Sequence, residues 1–114
     1  MKLFAYGTLV RKGRMEALIG RKLSEPAKAV LPGFKKHPTP RGYPIILPDA
    51  NSQVEGVLWD IEEADLPSLD HYEGTDEDPP FYTRQQVEVD AQGERLTAWV
   101  YVGNPDIYWD IEGS

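Results

Sequence analysis

The sequence predicts an α+β fold in which a closed or strongly curled, barrel-like β-sheet of about five or six strands carries few, short helices. Residues 81–90 and 95–102 alternate apolar and polar side chains around an Ala-Gln-Gly-Glu turn, which is the pattern of a β-hairpin. The second of these strands has large side chains on both faces, so both faces are expected to be buried against other parts of the protein. Helix-forming patterns occur only over 14–19 and 60–74.

Short apolar runs separated by glycine and proline make up the first half of the chain. The predicted elements are, in order, a strand over 2–6, a helix over 14–19, a strand over 27–34, a loop over 37–44 and a brief strand over 45–47. Gly7 and Gly20 end the first two elements, and the Pro32–Gly33 pair bends or ends the third.

A strand over 54–61 opens the second half. Asp60 and Glu63 match a capping box and predict a helix start there. Pro67 breaks the helical hydrogen bonding, so a second helical piece is expected from Pro67 to near Gly74. The predicted elements that follow are a polar loop over 76–80, the hairpin, and an aromatic tail over 103–114 that packs on the sheet.

Composition limits the classes of function. The 114 residues suit a single domain, 1–114. The absence of cysteine excludes a disulfide framework, a thiolate nucleophile and a cysteine-rich zinc site. No segment reaches the roughly 18 apolar residues of a membrane span. The first 20 residues lack the apolar core of a signal peptide, so a cytoplasmic protein is expected, with the monomer as the default state.

Charge is unevenly distributed along the chain, which has a net charge of −7. Residues 1–46 contain ten Lys and Arg against two Glu, whereas residues 47–114 contain two Arg against seventeen acids. A net acidic chain is unsuited to nucleic acid or an anionic membrane. The two halves form either solvated faces that attract each other or a basic rim that attracts small carboxylates.

The segment Tyr6-Gly7-Thr8-Leu9 is the first candidate site. A glycine after a strand lets the backbone turn and lets a ligand approach closely. Exposed N–H groups in such a turn can hold an anion. The alternative is an ordinary turn that only ends the strand.

The second candidate is residues 69–74 (LDHYEG), inside an acidic part of the chain. Nine acids and no Lys or Arg lie from Asp60 to Asp78. Neighbouring negative charges and a helix C-terminus both raise the pKa of a carboxyl, as would burial beside Tyr72. Glu73 could therefore titrate near neutrality and act as a general acid/base. The alternative is a solvated acidic helix face.

Other chemistry has weaker support. Arg84, in residues 81–84 (FYTR), could orient a substrate carboxylate or form a structural ion pair. His37 and His71 are poorly spaced for a metal, so no metal site is predicted. The chain has no Gly-x-Ser-x-Gly elbow, phosphate-binding glycine motif or dinucleotide fingerprint.

Taken in order, the short motifs resemble the gamma-glutamylcyclotransferase-like superfamily, particularly its gamma-glutamylamine cyclotransferase type. They are FAYGTL at 4–9, GYP at 42–44, VEGVLW at 54–59, LDHYEG at 69–74, YTR at 82–84 and AWVYV at 98–102. Each motif is short, but their common order and spacing cover the chain from Leu3 to about Val102.

The resemblance implies a small mixed fold around a barrel-like sheet and a cofactor-free transferase or lyase reaction on a small γ-glutamyl substrate. The γ-glutamyl group is cyclised to 5-oxoproline, and an amine or amino acid is released. By the resemblance, Glu73 is the catalytic acid/base, and Tyr82 and Arg84 support the site. The glutamyl end is held, mainly through backbone groups, by Tyr6, Gly7, Thr8 and Leu9.

Two other functions remain open at this point. The protein could be a non-catalytic small-molecule-binding module with the same fold, or it could remove a γ-glutamyl cap from a larger biosynthetic intermediate. The leaving group could be an amino acid, a lysine-type amine or a polyamine.

Overall fold

Five strands close into a barrel in the computed structural model, which describes residues 1–39, 44–104 and 106. The strands are β1 (Lys2–Ala5), β2 (Ala27–His37), β3 (Ile45–Asp60), β4 (Tyr82–Ala91) and β5 (Glu94–Gly103). The helices are α1 (Lys12–Ile19) and α2 (Leu66–Glu73), which follow 3₁₀ turns over Thr8–Val10 and Glu63–Asp65. The α+β class with a closed sheet is thus confirmed.

The order of strands around the barrel is β1-β3-β2-β4-β5. Antiparallel pairing joins β1 to β3, β3 to β2, β2 to β4 and β4 to β5. The barrel closes where β1 meets β5 in parallel, with Leu3 opposite Trp99. The first and last strands are therefore neighbours, and the two ends of the sheet cover each other's edges.

The brief strand over 45–47 and the strand over 54–61 are a single strand, β3, so the prediction of two strands there was wrong. Its partner β2 supplies the reason, because the ladder between them runs from His37–Ile45 to Ala27–Leu58. Gly33 interrupts that ladder with a bulge at a φ of +83°, which bends β2 without ending it. The predicted loop therefore starts after His37, and its residues 40–43 lie outside the described part of the chain.

The predicted capping box of Asp60 and Glu63 was also wrong. Asp60 is the last residue of β3, and its carboxylate pairs with Lys2. The box is formed by Glu62 and Asp65, where the Glu62 N–H donates to Asp65 Oδ2 at 2.8 Å. Pro67 lies in the first turn of α2, where no helical hydrogen bond requires its N–H.

Residues with positive φ, most of them glycines, end the two helices and form the hairpin turn. Gly20 ends α1 at a φ of +78° and Gly74 ends α2 at a φ of +74°, as expected for C-terminal caps. Gln92 and Gly93, at φ of 53° and 79°, join β4 to β5 with the two positive φ angles of a tight hairpin turn. The predicted hairpin and its turn are confirmed.

Two apolar clusters lie on opposite faces of the curved sheet. One contains residues from all five strands and none from the helices, so it fills the barrel interior; its largest fully buried members are Phe4, Leu31, Ile46, Val89 and Val100. The other lies under the helices, where Met15 of α1 and Leu69 of α2, both 0% exposed, pack with Trp59. This second cluster packs the two helices against the barrel.

The predicted tail over 103–114 falls mostly outside the described residues. Gly103 belongs to β5, and Asn104 donates from its side chain to the Pro80 carbonyl at 2.7 Å. The predicted packing of the aromatic residues of 107–111 on the sheet lies beyond the residues described. Over the described ranges, no helix is long and apolar enough to cross a membrane.

Candidate active site

A cavity of about 350 Å³ opens at the end of β1, between the turn that follows it and the C-terminal end of α2. The five residues singled out from the sequence, Glu73 and the segment Tyr6–Leu9, all line it. The remaining lining residues are Leu3, Phe4, Ala5, Arg14, Pro44, Tyr72, Phe81, Tyr82 and Tyr101. A volume of this size is at the small end of ordinary ligand pockets, which start at about 300 Å³.

The turn after β1 forms one wall of the cavity. Gly7 precedes the 3₁₀ turn, whose first hydrogen bond runs from Val10 N to Gly7 O at 3.2 Å. The N–H groups before that bond have no partner inside the turn. A Cβ on Gly7 would come 3.3 Å from Pro44 Cγ, so glycine allows the backbone to approach Pro44 closely.

Side chains fix this turn against the barrel and α2. The buried Trp59 indole donates to the Leu9 carbonyl at 2.9 Å, which ties the turn to the core. Thr8 Oγ1 lies 2.9 Å from the Tyr72 hydroxyl, which joins the turn to α2. The Tyr6 hydroxyl donates to the Tyr101 carbonyl of β5.

Glu73 faces this turn from the last position of α2. The residue is half-buried, and burial raises the pKa of its carboxyl from the ordinary 4.5 to about 7. The sequence predicted a raised pKa from like charges, the helix end and burial; of these three causes, burial is the one that acts here. The acidic residues that follow the Gly74 cap, Asp76 and Glu77, are exposed, so solvent screens their charges.

The end of α2 is held close to the loop that precedes β4. A Cβ on Gly74 would lie 2.6 Å from Phe81 Cδ2, so no larger residue fits between α2 and Phe81. The Phe81 N–H donates to the Gly74 carbonyl at 3.0 Å. The position of Glu73 is therefore fixed by α2 before it and by the contact between Gly74 and Phe81 after it.

Asp70, one turn earlier on α2, connects the helix to both strands of the hairpin. The Tyr101 hydroxyl donates to Asp70 Oδ1 at 2.7 Å. Arg84 Nε lies 2.9 Å from the same oxygen, and Arg84 Nη2 donates to Asp70 Oδ2 at 3.2 Å. The Arg84 guanidinium also stacks on the Trp99 ring, 4.4 Å from its centroid. Arg84 thus forms the structural ion pair that the sequence left as one of two options.

His71 lies outside the cavity. It is exposed, and its Nδ1 lies 2.8 Å from Asp76 Oδ2, which raises the pKa of the imidazole. In the described part of the chain no group of three His, Cys, Asp or Glu side chains could hold a metal ion.

The sequence did not identify Tyr101 and Arg14 as lining residues. Tyr101 alternates with Val100 and Val102 in β5, and a strand pattern alone does not tell which face meets a helix. Arg14 is one of ten basic residues in the first 46, with no local motif that distinguishes it. Tyr72 had a signal, because it precedes Glu73 within the LDHYEG motif.

The chain is similar to known proteins over nearly its whole length. The family model described as "Gamma-glutamyl cyclotransferase, AIG2-like" matches residues 3–113. AIG2-like protein C of Arabidopsis thaliana is 36% identical over 120 residues, which cover 96% of this chain and 66% of that protein. The chain therefore spans slightly less than two thirds of the length of this curated relative.

Solved structures share the fold. A solution structure of an Arabidopsis thaliana protein matches with a TM-score of 0.81 and 25% identity, covering 99% of this chain and 74% of that one. A structure named "Gamma-glutamyl cyclotransferase" matches with a TM-score of 0.76 and 24% identity, covering 91% of this chain and 66% of that one. At that identity the second match is evidence for the fold alone.

Proposed function

Because the chain belongs to the gamma-glutamyl cyclotransferase, AIG2-like family, we propose that it cyclises a γ-glutamyl amine or peptide to 5-oxoproline and releases the free amine. One observation supports this most directly: a half-buried carboxyl with a pKa of about 7, that of Glu73, faces the Tyr6–Leu9 turn across a single cavity.

The reaction is an intramolecular acyl transfer. The α-amine of the substrate attacks its own γ-carbonyl carbon, and the new C–N bond closes a five-membered ring. The bond to the leaving nitrogen then breaks. Since nucleophile and electrophile belong to one molecule, the protein has to fold the substrate into the reactive conformation rather than gather two reactants.

Glu73 moves the proton in this proposal. The α-amine arrives as an ammonium and must lose a proton before it can attack, and the leaving nitrogen must gain one. A carboxylate between the two nitrogens accepts a proton as the ammonium becomes a nucleophilic amine and donates it to the leaving nitrogen. This exchange is efficient when the pKa of the acid lies near the working pH, as the value of about 7 does. The ring nitrogen loses its second proton after the new bond has formed, and the released amine takes that proton up.

The turn after β1 stabilises the tetrahedral intermediate in this proposal. Its oxygen becomes negative when the amine adds to the carbonyl. The N–H groups of Gly7, Thr8 and Leu9 precede the first hydrogen bond of the 3₁₀ turn, so they are available as donors to that oxygen. The tie between Trp59 and Leu9 keeps these donors fixed, which limits the reorganisation needed during the reaction.

A substrate panel tests the proposal. We would measure 5-oxoproline by mass spectrometry after incubation with γ-glutamyl dipeptides and γ-glutamylamines, using wild type, Glu73→Gln and Glu77→Gln. Glu77 is an exposed acid four residues from Glu73 and serves as the matched control. We expect release by wild type and Glu77→Gln, and a loss of at least about a hundredfold in Glu73→Gln, since acid–base catalysis contributes about 10²–10⁴-fold.

The possible results separate the alternatives. Release that survives in Glu73→Gln would keep the reaction but remove Glu73 from its role. Thermal stabilisation by 5-oxoproline without any product would favour the non-catalytic binding module. Release only from a larger γ-glutamyl conjugate would favour removal of a cap.

A further inference from the structure

Two formally charged side chains line the cavity within the described part of the chain, and they have opposite signs: Glu73 from α2 and Arg14 from α1. No ion pair joins them over the described ranges. The other lining residues are apolar or carry hydroxyl groups, apart from the glycine. The cavity therefore offers one acidic and one basic group to a ligand.

Arg14 has no acidic partner among the residues that the structure describes, whereas two other basic residues of the same segment, Lys12 and Arg21, do. Lys12, two residues earlier, lies 3.1 Å from Glu25, and Arg21 lies 2.6 Å from Asp65. Among the residues that the structure describes, no carboxylate or aromatic ring contacts the Arg14 guanidinium. The next residue, Met15, is fully buried, which fixes the helix while leaving the Arg14 side chain exposed at the cavity.

We propose that Arg14 binds the α-carboxylate of the γ-glutamyl ligand, so that the cavity takes compounds with a free α-carboxylate and discriminates against their α-amides and α-esters. This inference rests on the function proposed above. The glutamyl end of such a ligand carries an ammonium and a carboxylate on the same carbon at neutral pH. The carboxylate of Glu73 complements the ligand's ammonium. The planar guanidinium of Arg14 complements the ligand's carboxylate through two parallel hydrogen bonds.

The two charges also orient the ligand. With the carboxylate at Arg14, the amine on the same carbon is directed into the cavity that contains Glu73 and the Tyr6–Leu9 turn. The charge of the carboxylate does not change while the ring closes. Arg14 therefore binds the ground state and the transition state about equally, so its removal should raise KM and leave kcat nearly unchanged.

A pair of matched substrates and three variants test this inference. The substrates are the best γ-glutamyl compound of the panel and the same compound with its α-carboxylate amidated. The variants are Arg14→Gln, Arg14→Lys and Arg11→Gln. Arg11 is also exposed and does not line this cavity, so it controls for the loss of one positive charge.

We expect Arg14→Gln to raise KM for the free acid about tenfold, the effect of losing one charge-assisted contact, with kcat changed less than about twofold. The preference of wild type for the free acid over the amide should fall by the same factor. The KM of Arg14→Lys should lie between the values of wild type and Arg14→Gln. The KM of Arg11→Gln should match that of wild type. An equal effect of Arg14→Gln on both substrates would overturn the inference.

Product binding separates this inference from the proposed reaction. We would titrate wild type and Arg14→Gln with 5-oxoproline and with 5-oxoprolinamide by calorimetry, which requires no turnover. Tighter binding of 5-oxoproline that depends on Arg14 supports the inference even if no substrate is cyclised. Equal binding of the two compounds, or no binding of 5-oxoproline, overturns it even if the chain proves to be a cyclotransferase.

Discussion

Glu73 carries a half-buried carboxyl that also faces the cavity. Burial disfavours the charged form, and this raises the pKa to about 7. No hydrogen bond or ion pair among the described residues offsets that cost. A carboxyl with this pKa is half ionised near neutral pH, as an acid/base group must be.

The raised pKa has a consequence for stability that does not involve activity. Between about pH 4.5 and 7 the folded protein holds a proton that the unfolded chain releases, so the free energy of unfolding falls as pH rises through this window. Glutamine has the shape of the protonated acid and cannot ionise. We expect Glu73→Gln to be about 1–3 kcal/mol more stable than wild type at pH 8, with little difference at pH 4.

Urea unfolding at a series of pH values, with Glu77→Gln as control, measures this difference. The exposed Glu77 should show no comparable pH-dependent gain over wild type. A Glu73→Gln variant whose advantage does not change between pH 4 and 8 would contradict the raised pKa.

Sequence reasoning identified the residues of the site that lie in continuous motifs. The Tyr6–Leu9 turn and Glu73 stand next to a strand end and a helix end, which glycines mark in the sequence. Tyr101 and Arg14 reach the same cavity from β5 and α1, so their part depends on the closure of the barrel. Burial, which raises the pKa of Glu73, depends on that packing as well, and the sequence named it only as one of three causes.

At the scale of elements, α2 is attached to the barrel through Asp70. This carboxylate receives the Tyr101 hydroxyl from β5 and the Arg84 guanidinium from β4, and both the Arg84 and Asp70 side chains are only about a quarter exposed. Asp70 lies three residues before Glu73, on neighbouring turns of one helix face. The contacts of Asp70 therefore fix the rotation of α2 that directs Glu73 to the cavity.

We expect Asp70→Asn to lower the free energy of unfolding by about 2 kcal/mol, because it leaves the largely buried Arg84 guanidinium without its counter-charge. Chemical denaturation measures the loss. Asp90→Asn is the matched control, since the Asp90–Arg95 pair is about half exposed on both sides and should contribute less.

A double variant, Asp70→Asn with Arg84→Gln, isolates the interaction. Its loss should be smaller than the two single losses combined, because each single change already removes the pair. Additive losses, or an equal effect of Asp70→Asn and Asp90→Asn, would show that this contact does not anchor α2.

The predicted elements were mostly correct where a residue's own chemistry decides the local structure. Gly20, Gly74 and the Gln92–Gly93 turn end or reverse the chain because glycine tolerates positive φ, and all three were predicted. The continuity of β3 was missed because residues 48–53 (PDANSQ) look like a turn in isolation. Pairing with β2 supplies the hydrogen bonds that keep this segment extended, and no local pattern encodes them.

At the scale of the whole molecule, the barrel combines two local hairpins with three pairings between distant strands, of which the β1–β5 closure spans the most sequence. β2 and β3 are consecutive in sequence, as are β4 and β5. The closing contact joins Leu3 to Trp99 across nearly the whole chain. Bringing such distant segments together costs more chain entropy than forming a hairpin, so the closure is expected to form late in folding.

Two matched leucines test this order of events. Leu3, at the closure, and Leu31, in the β2–β3 hairpin opposite Val54, are both 1% exposed. We expect Leu31→Val to slow folding, and Leu3→Val to leave the folding rate nearly unchanged while it accelerates unfolding. Stopped-flow folding and unfolding in urea measures both rates. A slower folding rate in Leu3→Val with no change in Leu31→Val would reverse the order.

The same closure decides when the site first exists during synthesis on the ribosome. Tyr6 and the backbone of Tyr101, which its hydroxyl contacts, are 95 residues apart, so the chain must be synthesised through β5 before the two can meet. Until then Leu3 and Phe4 lack their neighbours in β5, so β1 can pair only with β3 and its other edge stays unpaired in the nascent chain. A truncated translation product that lacks β5 therefore has no complete cavity, because Tyr101 of β5 forms part of its lining.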